Sequence, residues 1–198
     1  MLGRANAMGA GMGEQPTAAE AGGGPTPGLA RLWAGWRTAY ITRVSDDAAE
    51  LRADDEGRSL FERILGSDLP DDETFVVHRS DRIAVLLNAF PYGSGHLLVL
   101  PTRAVADLTD LGEDETAELW ATVTDAVAAI RSAYAPDGVN VGLNLGSAAG
   151  AGVPDHLHVH VLPRWAADAN FMTAVAETRV LPEPLAATYA KLRAAWPA

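Results

Sequence analysis

The most regular stretch of the chain alternates polar and apolar positions. All of its polar positions are histidines. The apolar residues that come after each histidine in turn are Leu157, Val159 and Val161. Side chains alternate between the two faces of a β-strand. The pattern therefore predicts a strand with an apolar face for a core and a second face carrying imidazoles about 6.5–7 Å apart. The three histidines are His156, His158 and His160.

Short apolar runs elsewhere predict further strands. Each run has strand length and is bounded by turn signals, such as the glycine-rich loop at residues 91–95. With the histidine strand they form a set of five. The other predicted strands cover residues 74–79, 82–88, 95–101 and 139–145.

A helical period is clearest over residues 115–134, where apolar side chains recur at steps of three and four. Thr109 or Asp110 is the predicted N-cap of this helix. Residues 59–65 predict a helical turn, and residues 182–196 predict a C-terminal helix. Three strands, a helix, two more strands and a final helix indicate an α+β fold. We expect a mainly antiparallel sheet with its helices on one side.

The first quarter of the chain has a different character. Residues 1–28 are rich in Gly, Ala and Pro and predict a disordered leader, because they offer few large apolar side chains for burial. Residues 29–58 predict a short amphipathic helical segment followed by an acidic linker. A single folded domain is expected over residues 59–198.

Composition narrows the possible functions. A net charge of −11 over 198 residues argues against binding to polyanions such as duplex nucleic acid. The chain has no cysteine, which excludes disulfides, iron–sulfur clusters and thiolate zinc sites. Neither a transmembrane segment nor a secretory signal is evident, so a cytoplasmic protein without membrane contact is expected.

The histidine strand has three interpretations. It is a strand with an incidentally polar face, a metal site that recruits a third ligand from elsewhere, or a catalytic centre acting on phosphorus. A neutral imidazole is a good nucleophile near pH 7. The loop over residues 146–155 favours the third interpretation, because its small residues let backbone N–H groups approach an anion.

The sequence from His156 to Leu162, His-Leu-His-Val-His-Val-Leu, resembles the signature of the histidine triad (HIT) family of nucleotide hydrolases and transferases. Residues 85–101 resemble the first half-site of that family, and residues 144–152 resemble its phosphate loop. The flanks, including residues 163–165, are similar to a bacterial branch described as diadenosine tetraphosphate phosphorylases. The resemblance implies a HIT-like fold, a curved antiparallel sheet of about five strands with two main helices.

The resemblance also implies a role for each histidine. His158 would attack the α-phosphorus of a dinucleoside polyphosphate and form a nucleotidyl-histidine intermediate. His160 and His156 would bind and polarise the phosphate, and His96 would complete the polar wall. The residues expected to bind the nucleotide are Asn88 at the ribose, Asn144, Gly150 and Gly152 in the phosphate loop, and Trp165 at a base or across a subunit boundary.

Two departures from the family pattern stand out. Many bacterial members carry a Cys-x-x-Cys pair, and Ser59-Leu60-Phe61-Glu62 occupies the matching stretch here, so the structural zinc of those members is not expected. The polar residue that usually precedes the histidine strand is replaced by Gly152. That second change leaves the choice among phosphorylase, hydrolase and phosphoramidase open.

No tightly bound cofactor is implied, although a substrate can arrive bound to magnesium. The acceptor would be inorganic phosphate or water, and a homodimer or larger homo-oligomer is the family expectation. The alternative functions are hydrolysis of nucleoside phosphoramidates or nucleotide conjugates, and nucleotide-dependent regulation with little turnover.

Overall fold

The structure is a computed structural model and describes residues 56–166, 168 and 183–197. The predicted leader and nearly all of the segment predicted for residues 29–58 lie outside this part of the chain. The described helices are α1 (Leu60–Leu65), α2 (Asp71–Thr74), α3 (Glu113–Tyr134) and α4 (Leu185–Ala195). The strands are β1 (Val76–Arg79), β2 (Ile83–Leu87), β3 (Leu97–Pro101), β4 (Gly138–Leu143) and β5 (Val159–Arg164).

The five strands form one antiparallel sheet in the order β1-β2-β3-β5-β4. The α+β class and the strand number are therefore confirmed. Strand β2 pairs with both β1 and β3, its neighbours in sequence. Strand β5 pairs with β3 on one side and with β4 on the other, so β3 and β4 are not neighbours in the sheet. This order brings the segment before β3 next to the start of β5, although more than fifty residues separate them in sequence.

Helix α3 begins two residues earlier than predicted and uses another cap. Asp107, not Thr109 or Asp110, accepts a hydrogen bond from the Thr109 N–H, and this caps a short 3₁₀ turn. The α-helix then starts after Gly112, whose N–H donates to the Glu115 carboxylate at 2.9 Å. An aspartate near a helix start competes for backbone donors, which explains the wrong prediction.

One face of the sheet packs against the two long helices. Val85, Val99, Val159 and Val161 are fully buried there with the apolar stripe of α3 and with Leu192 of α4. The predicted apolar face of the histidine strand is thus confirmed. Among the described helices, none combines the length and apolar character that crossing a bilayer requires.

The opposite face is also covered, contrary to the prediction that the helices lie on one side only. The short helix α1 packs there through Phe61, in a second apolar cluster with Leu98, Leu100 and Val153. Ser59 caps α1 and makes a reciprocal pair with Glu62, because each residue's side chain accepts the other's backbone N–H. This capping box fixes the start of a helix too short to be stable alone.

Candidate active site

The site lies at the start of β5, on the sheet face covered by α1. Strand β5 begins at Val159, so His158 directly precedes it and His160 is its second residue. On the neighbouring strand, Leu98 pairs with His160, and His96 lies just before β3. The imidazole centroids of His158 and His160 are 5.0 Å apart, and those of His96 and His160 are 5.1 Å apart.

His158 presents an unprotonated nitrogen at the site. Its Nδ1 lies 2.8 Å from the carbonyl oxygen of His156. A carbonyl can only accept, so Nδ1 carries the proton, and Nε2 of the neutral ring keeps its lone pair. Phe61 packs edge-on against the ring at a centroid distance of 5.3 Å. The lone pair is therefore held in one orientation by a hydrogen bond and an aromatic contact.

His160, in contrast to His158, presents a protonated nitrogen at the site. The backbone N–H of Tyr92 donates to Nδ1 of His96 at 3.1 Å, so Nε2 of the neutral His96 ring carries the proton. That Nε2 lies 2.9 Å from Nδ1 of His160 and donates to it. Nε2 of His160 must then carry a proton of its own. A nucleophilic nitrogen on His158 and a donor nitrogen on His160 therefore sit on adjacent rings.

His156 does not occupy the position predicted for it. Its side chain is 0% exposed. Its Nε2 lies 2.8 Å from the carbonyl oxygen of Pro101, and its Nδ1 lies 2.6 Å from the Ser59 hydroxyl. Both ring nitrogens are engaged inside the protein, so the predicted contact of this ring with phosphate does not fit the geometry. The residue contributes its backbone carbonyl to His158 instead.

Burial keeps these rings neutral. It lowers the pKa of His158 below the ordinary histidine value, although the hydrogen bond to the His156 carbonyl acts in the other direction. Burial, with a smaller effect of the nearby His158, lowers the pKa of His160 to about 4. At neutral pH the protons therefore stay where the hydrogen bonds assign them.

Asn144 directly follows the adjacent strand β4. Strand β4 pairs Gly142 with His160 and Leu143 with Val159. Continued by one step, this register puts Asn144 opposite His158 on the face that carries the imidazoles. A Cβ added at Gly142 would meet no atom within 4 Å, so the strand leaves open space beside His160.

Asn88 lies on the other side of His96. Its side-chain oxygen accepts the Phe90 N–H at 2.9 Å, and its Nδ2 lies 3.4 Å from Nδ1 of His96. Asn88 thus connects the turn after β2 to the ring of His96. Its predicted contact with a ribose stays a prediction.

The predicted phosphate loop surrounds a 3₁₀ turn at Ser147–Ala149. The N–H of Gly150 donates to Ser147, and the N–H of Ala151 donates to Gly146, so these amides are used within the loop. Gly150 has a φ of 100°, which glycine adopts without strain. Gly152 follows this turn and is half-buried. The contacts of Gly150 and Gly152 with a phosphate stay a prediction.

Trp165 lies at the far end of β5. It lies five residue steps along the chain from His160, a path of about 16 Å in an extended strand. Its ring packs edge-on against Tyr134 at 6.2 Å. Stacking on a base held at His158 of the same chain does not fit this placement. A contact across a subunit boundary stays a prediction.

The metal interpretation of the histidines gains no support from the geometry. Within the described residues, no group of three or more His, Cys, Asp or Glu side chains is arranged to hold a metal ion. At the stretch that matches the cysteine pair, the Ser59 hydroxyl and the Glu62 carboxylate are both engaged in hydrogen bonds. These side chains do not fit a structural zinc site.

Two further residues belong to the site and escaped the sequence analysis. Tyr92 stacks over His160 at 5.9 Å, is 42% exposed, and supplies the N–H that fixes the His96 proton. Ser59 reaches His156 from 97 positions away. The Ser-x-x-Glu spacing signals a capped helix. Nothing in the sequence signals the contact with His156.

Comparisons with known proteins agree with this arrangement. A family model described as HIT domain matches residues 70–167. A Mycobacterium tuberculosis protein named AP-4-A phosphorylase is 38% identical over 187 residues, covering 92% of each chain. A Schizosaccharomyces pombe asymmetrical bis(5'-nucleosyl)-tetraphosphatase is 38% identical over 93 residues, covering 47% of this chain and 50% of that protein.

Solved structures give the same result. The crystal structure of a zinc-bound histidine triad family protein from Mycobacterium smegmatis superimposes with a TM-score of 0.56 at 30% identity, covering 69% of this chain and 91% of that one. Since the similarity to the Mycobacterium tuberculosis protein spans nearly the whole of both chains, the chain belongs to the histidine triad family.

Proposed function

We propose that this protein is a phosphorylase of dinucleoside polyphosphates that works through a nucleotide bound covalently to His158. One observation carries the proposal: an Nε2 lone pair on His158 and an Nε2–H on His160 belong to adjacent rings, with centroids 5.0 Å apart, that burial keeps neutral. These two rings supply a nucleophile and a hydrogen-bond donor for attack on phosphorus.

In the first step, Nε2 of His158 forms a bond to the α-phosphorus, and the bond from that phosphorus to the bridging oxygen breaks. The electron pair leaves with the bridging oxygen, and the Nε2–H of His160 donates a hydrogen bond that stabilises the negative charge developing there, so ATP departs as an anion. Attack makes the His158 ring cationic. The His156 carbonyl, already accepting its Nδ1 proton, stabilises that charge.

In the second step, an oxygen of inorganic phosphate attacks the nucleotidyl-histidine and the N–P bond breaks. The electron pair of the N–P bond returns to Nε2 of His158, which restores the neutral ring, and the proton of the attacking hydrogen phosphate stays with the ADP or passes to solvent. With diadenosine tetraphosphate the products are ATP from the first step and ADP from the second. Phosphate is favoured over water because the relative named a phosphorylase matches 92% of this chain.

The acceptor is tested by incubating the protein with diadenosine tetraphosphate and 32P-labelled phosphate. The proposal expects ADP labelled at its β-phosphate and unlabelled ATP, with no turnover when phosphate is omitted. AMP and ATP in equal amounts would make the protein a hydrolase. Cleavage of an adenosine phosphoramidate alone would make it a phosphoramidase, and binding without products would favour the regulatory alternative.

The covalent step is tested by quenching the reaction without phosphate and measuring the protein mass. The proposal expects an adenylated species that acid removes, as is typical of a P–N bond, and expects none in His158→Ala. His78→Ala is the matched control, because His78 lies on β1 and stacks on Trp196 instead. Adenylation that persists in His158→Ala would contradict the mechanism.

We also propose that the protein forms a homodimer through α3 and the edge strand β4. Trp120 on α3 is 42% exposed and Val141 on β4 is 44% exposed, so each of these two elements presents a large apolar side chain that a partner subunit could cover. Trp120→Glu should convert a dimer to a monomer in sedimentation experiments. Leu69→Glu, at an exposed apolar residue outside both elements, should not.

A further inference from the structure

We infer that Ser59, the N-cap of helix α1, is a positioning residue for nucleotidyl transfer and acts on His158 through His156. The inference rests on the proposed function for its kinetic consequences. Its structural basis is a continuous chain of hydrogen bonds from Ser59 to the nucleophile, buried throughout.

The chain begins at the hydroxyl of Ser59. Its oxygen accepts the backbone N–H of Glu62 at 3.1 Å as part of the capping box. Its proton points to Nδ1 of His156 at 2.6 Å. Nε2 of His156 must carry the ring proton because it donates to the carbonyl of Pro101. The hydroxyl is therefore the donor to Nδ1, and it fixes both the tautomer and the orientation of the ring.

The chain ends at the nucleophile. With its ring held between Ser59 and the end of β3, the backbone of His156 has little freedom. Its carbonyl accepts the Nδ1 proton of His158 at 2.8 Å, and this bond sets the direction of the Nε2 lone pair. Phe61, two residues after Ser59, packs edge-on against both imidazoles at 5.3 Å. Helix α1 thus supports the nucleophile with one hydrogen-bonded contact and one aromatic contact.

The rest of the capping box makes this support rigid. The Glu62 carboxylate accepts the N–H of Ser59 and, from the segment after β3, the N–H of Ala104 at 2.9 Å. Burial acts to raise the pKa of Glu62, but these backbone donors hold it below its ordinary value, so the group stays ionised. Ser59 and Glu62 stand where the resembled members carry a cysteine pair. Here a network of hydrogen bonds joins this helix to the first histidine.

Replacing Ser59 with alanine removes the donor to Nδ1 of a fully buried ring. That nitrogen then lacks a partner, which favours a shift of the ring and of the carbonyl attached to it. Small displacements of a nucleophile cost much of the rate, so we expect kcat to fall roughly 10- to 100-fold with KM little changed. We expect little change in nucleotide binding, because Ser59 is buried and its hydroxyl is engaged with His156 and Glu62.

The experiment compares Ser59→Ala with Ser59→Thr and Ser67→Ala in the full-length protein. Threonine keeps the hydroxyl and should restore most of the lost kcat. Ser67 donates to the Ile64 carbonyl at the other end of α1 and does not contact a histidine. Ser67→Ala therefore weakens the same helix while leaving the chain to His158 intact, and its kcat should stay near that of the wild type.

Nitrogen-15 NMR of the histidines gives a readout that does not depend on turnover. In the wild type it should show the proton on Nε2 of His156 and on Nδ1 of His158. In Ser59→Ala the His156 signals should shift or split between tautomers, whereas those in Ser67→Ala should not. Unchanged His156 signals together with wild-type kcat in a folded Ser59→Ala would overturn the inference, as would an equal loss of kcat in Ser67→Ala.

Failure of the proposed function gives a different result. If the wild type turns over no dinucleoside polyphosphate, the kinetic comparison has no signal, but the tautomer measurements still test the chain from Ser59 to His158. A changed His156 tautomer in Ser59→Ala would then support the positioning role for another substrate. An unchanged tautomer would reject that role outright.

Discussion

Nε2 of His96 lies 2.9 Å from Nδ1 of His160, and 64 positions separate the two residues in the sequence. This contact decides which nitrogen of His160 carries a proton. The Tyr92 N–H, in the loop before β3, donates to the other nitrogen of His96. The positions of the protons on both His96 and His160 are therefore set by this series of hydrogen bonds. His96 therefore acts through His160 and defines its capacity as a donor.

Replacing His96 with phenylalanine should remove the hydrogen bond to Nδ1 of His160 while keeping a bulky side chain at this buried position. Without a donor to its Nδ1, His160 can carry its proton on either nitrogen, and the hydrogen bond from its Nε2 to the leaving oxygen is made less often. We expect kcat to fall about 100-fold, within the range for loss of one donor to charge that develops in the transition state, with a smaller change in KM. Steady-state kinetics with diadenosine tetraphosphate measures both values.

The matched control is His78→Phe, because His78 lies on β1 and packs on Trp196. It should keep wild-type kinetics. Equal activity of His96→Phe and the wild type would mean that the proton on His160 does not depend on His96.

The sequence predicted the sheet and the apolar side of the histidine strand because both follow from short-range periodicity. Leu157, Val159 and Val161 are buried as the alternation requires. Periodicity assigns a side chain to a face, but it does not show whether a ring nitrogen is already occupied. His156 and His158 share the pattern, yet only His156 has both nitrogens engaged within the protein.

The missed parts of the site depend on distant contacts. The pairing of β3 with β5 brings Tyr92 over His160, and no local pattern reports that pairing. The capping box at Ser59 is local and predictable, but its contact with His156 requires α1 to fold back over the sheet. Local sequence thus predicts elements and faces, whereas the proton order of the histidines comes from tertiary packing.

Gly95 allows His96 to enter the site. It has a φ of 81°, and a Cβ added there would lie 3.0 Å from both Pro163 and Tyr134. Gly95→Ala should therefore strain the backbone and displace the adjacent His96. We expect a loss of stability of about 1–3 kcal/mol, measured by urea unfolding, together with a lower kcat.

Gly138→Ala is the control for Gly95→Ala. A Cβ at Gly138 would meet no atom within 4 Å, so stability should stay within about 0.5 kcal/mol of the wild type. Equal stability of the two variants would show that the contacts around Gly95 relax at little cost.

Phe61 supports the site and the second apolar cluster at once. Its side chain is buried in one cluster with Leu98 and Leu100, and it packs on the rings of His156 and His158. Phe61→Ala should cost about 3–5 kcal/mol in the free energy of unfolding because it leaves a cavity. Phe61→Leu fills most of that space and should cost less than about 1.5 kcal/mol. Urea unfolding distinguishes the two, and similar losses would mean that the cluster collapses around the smaller side chain.

The buried imidazoles make stability depend on pH. Burial lowers the pKa of His160 to about 4, whereas a histidine in the unfolded chain titrates near 6.5. Between these values the unfolded chain binds more protons than the native protein does. The contribution of the neutral His160 ring to the free energy of unfolding is therefore complete above about pH 6.5. It falls as the pH decreases towards about 4. His160 alone accounts for up to about 3 kcal/mol of this loss.

Urea unfolding from about pH 7 to about pH 4 measures the effect, with His160→Gln as the comparison. The variant should show a shallower decrease across the same range because glutamine does not titrate. The Glu115 carboxylate interferes little in this window, because the hydrogen-bonded Arg103 lowers its pKa to about 2 and its contribution is lost only below about pH 4.5. Equal slopes for the two proteins would show that the His160 ring gains protons in the native state as easily as it does in the unfolded chain.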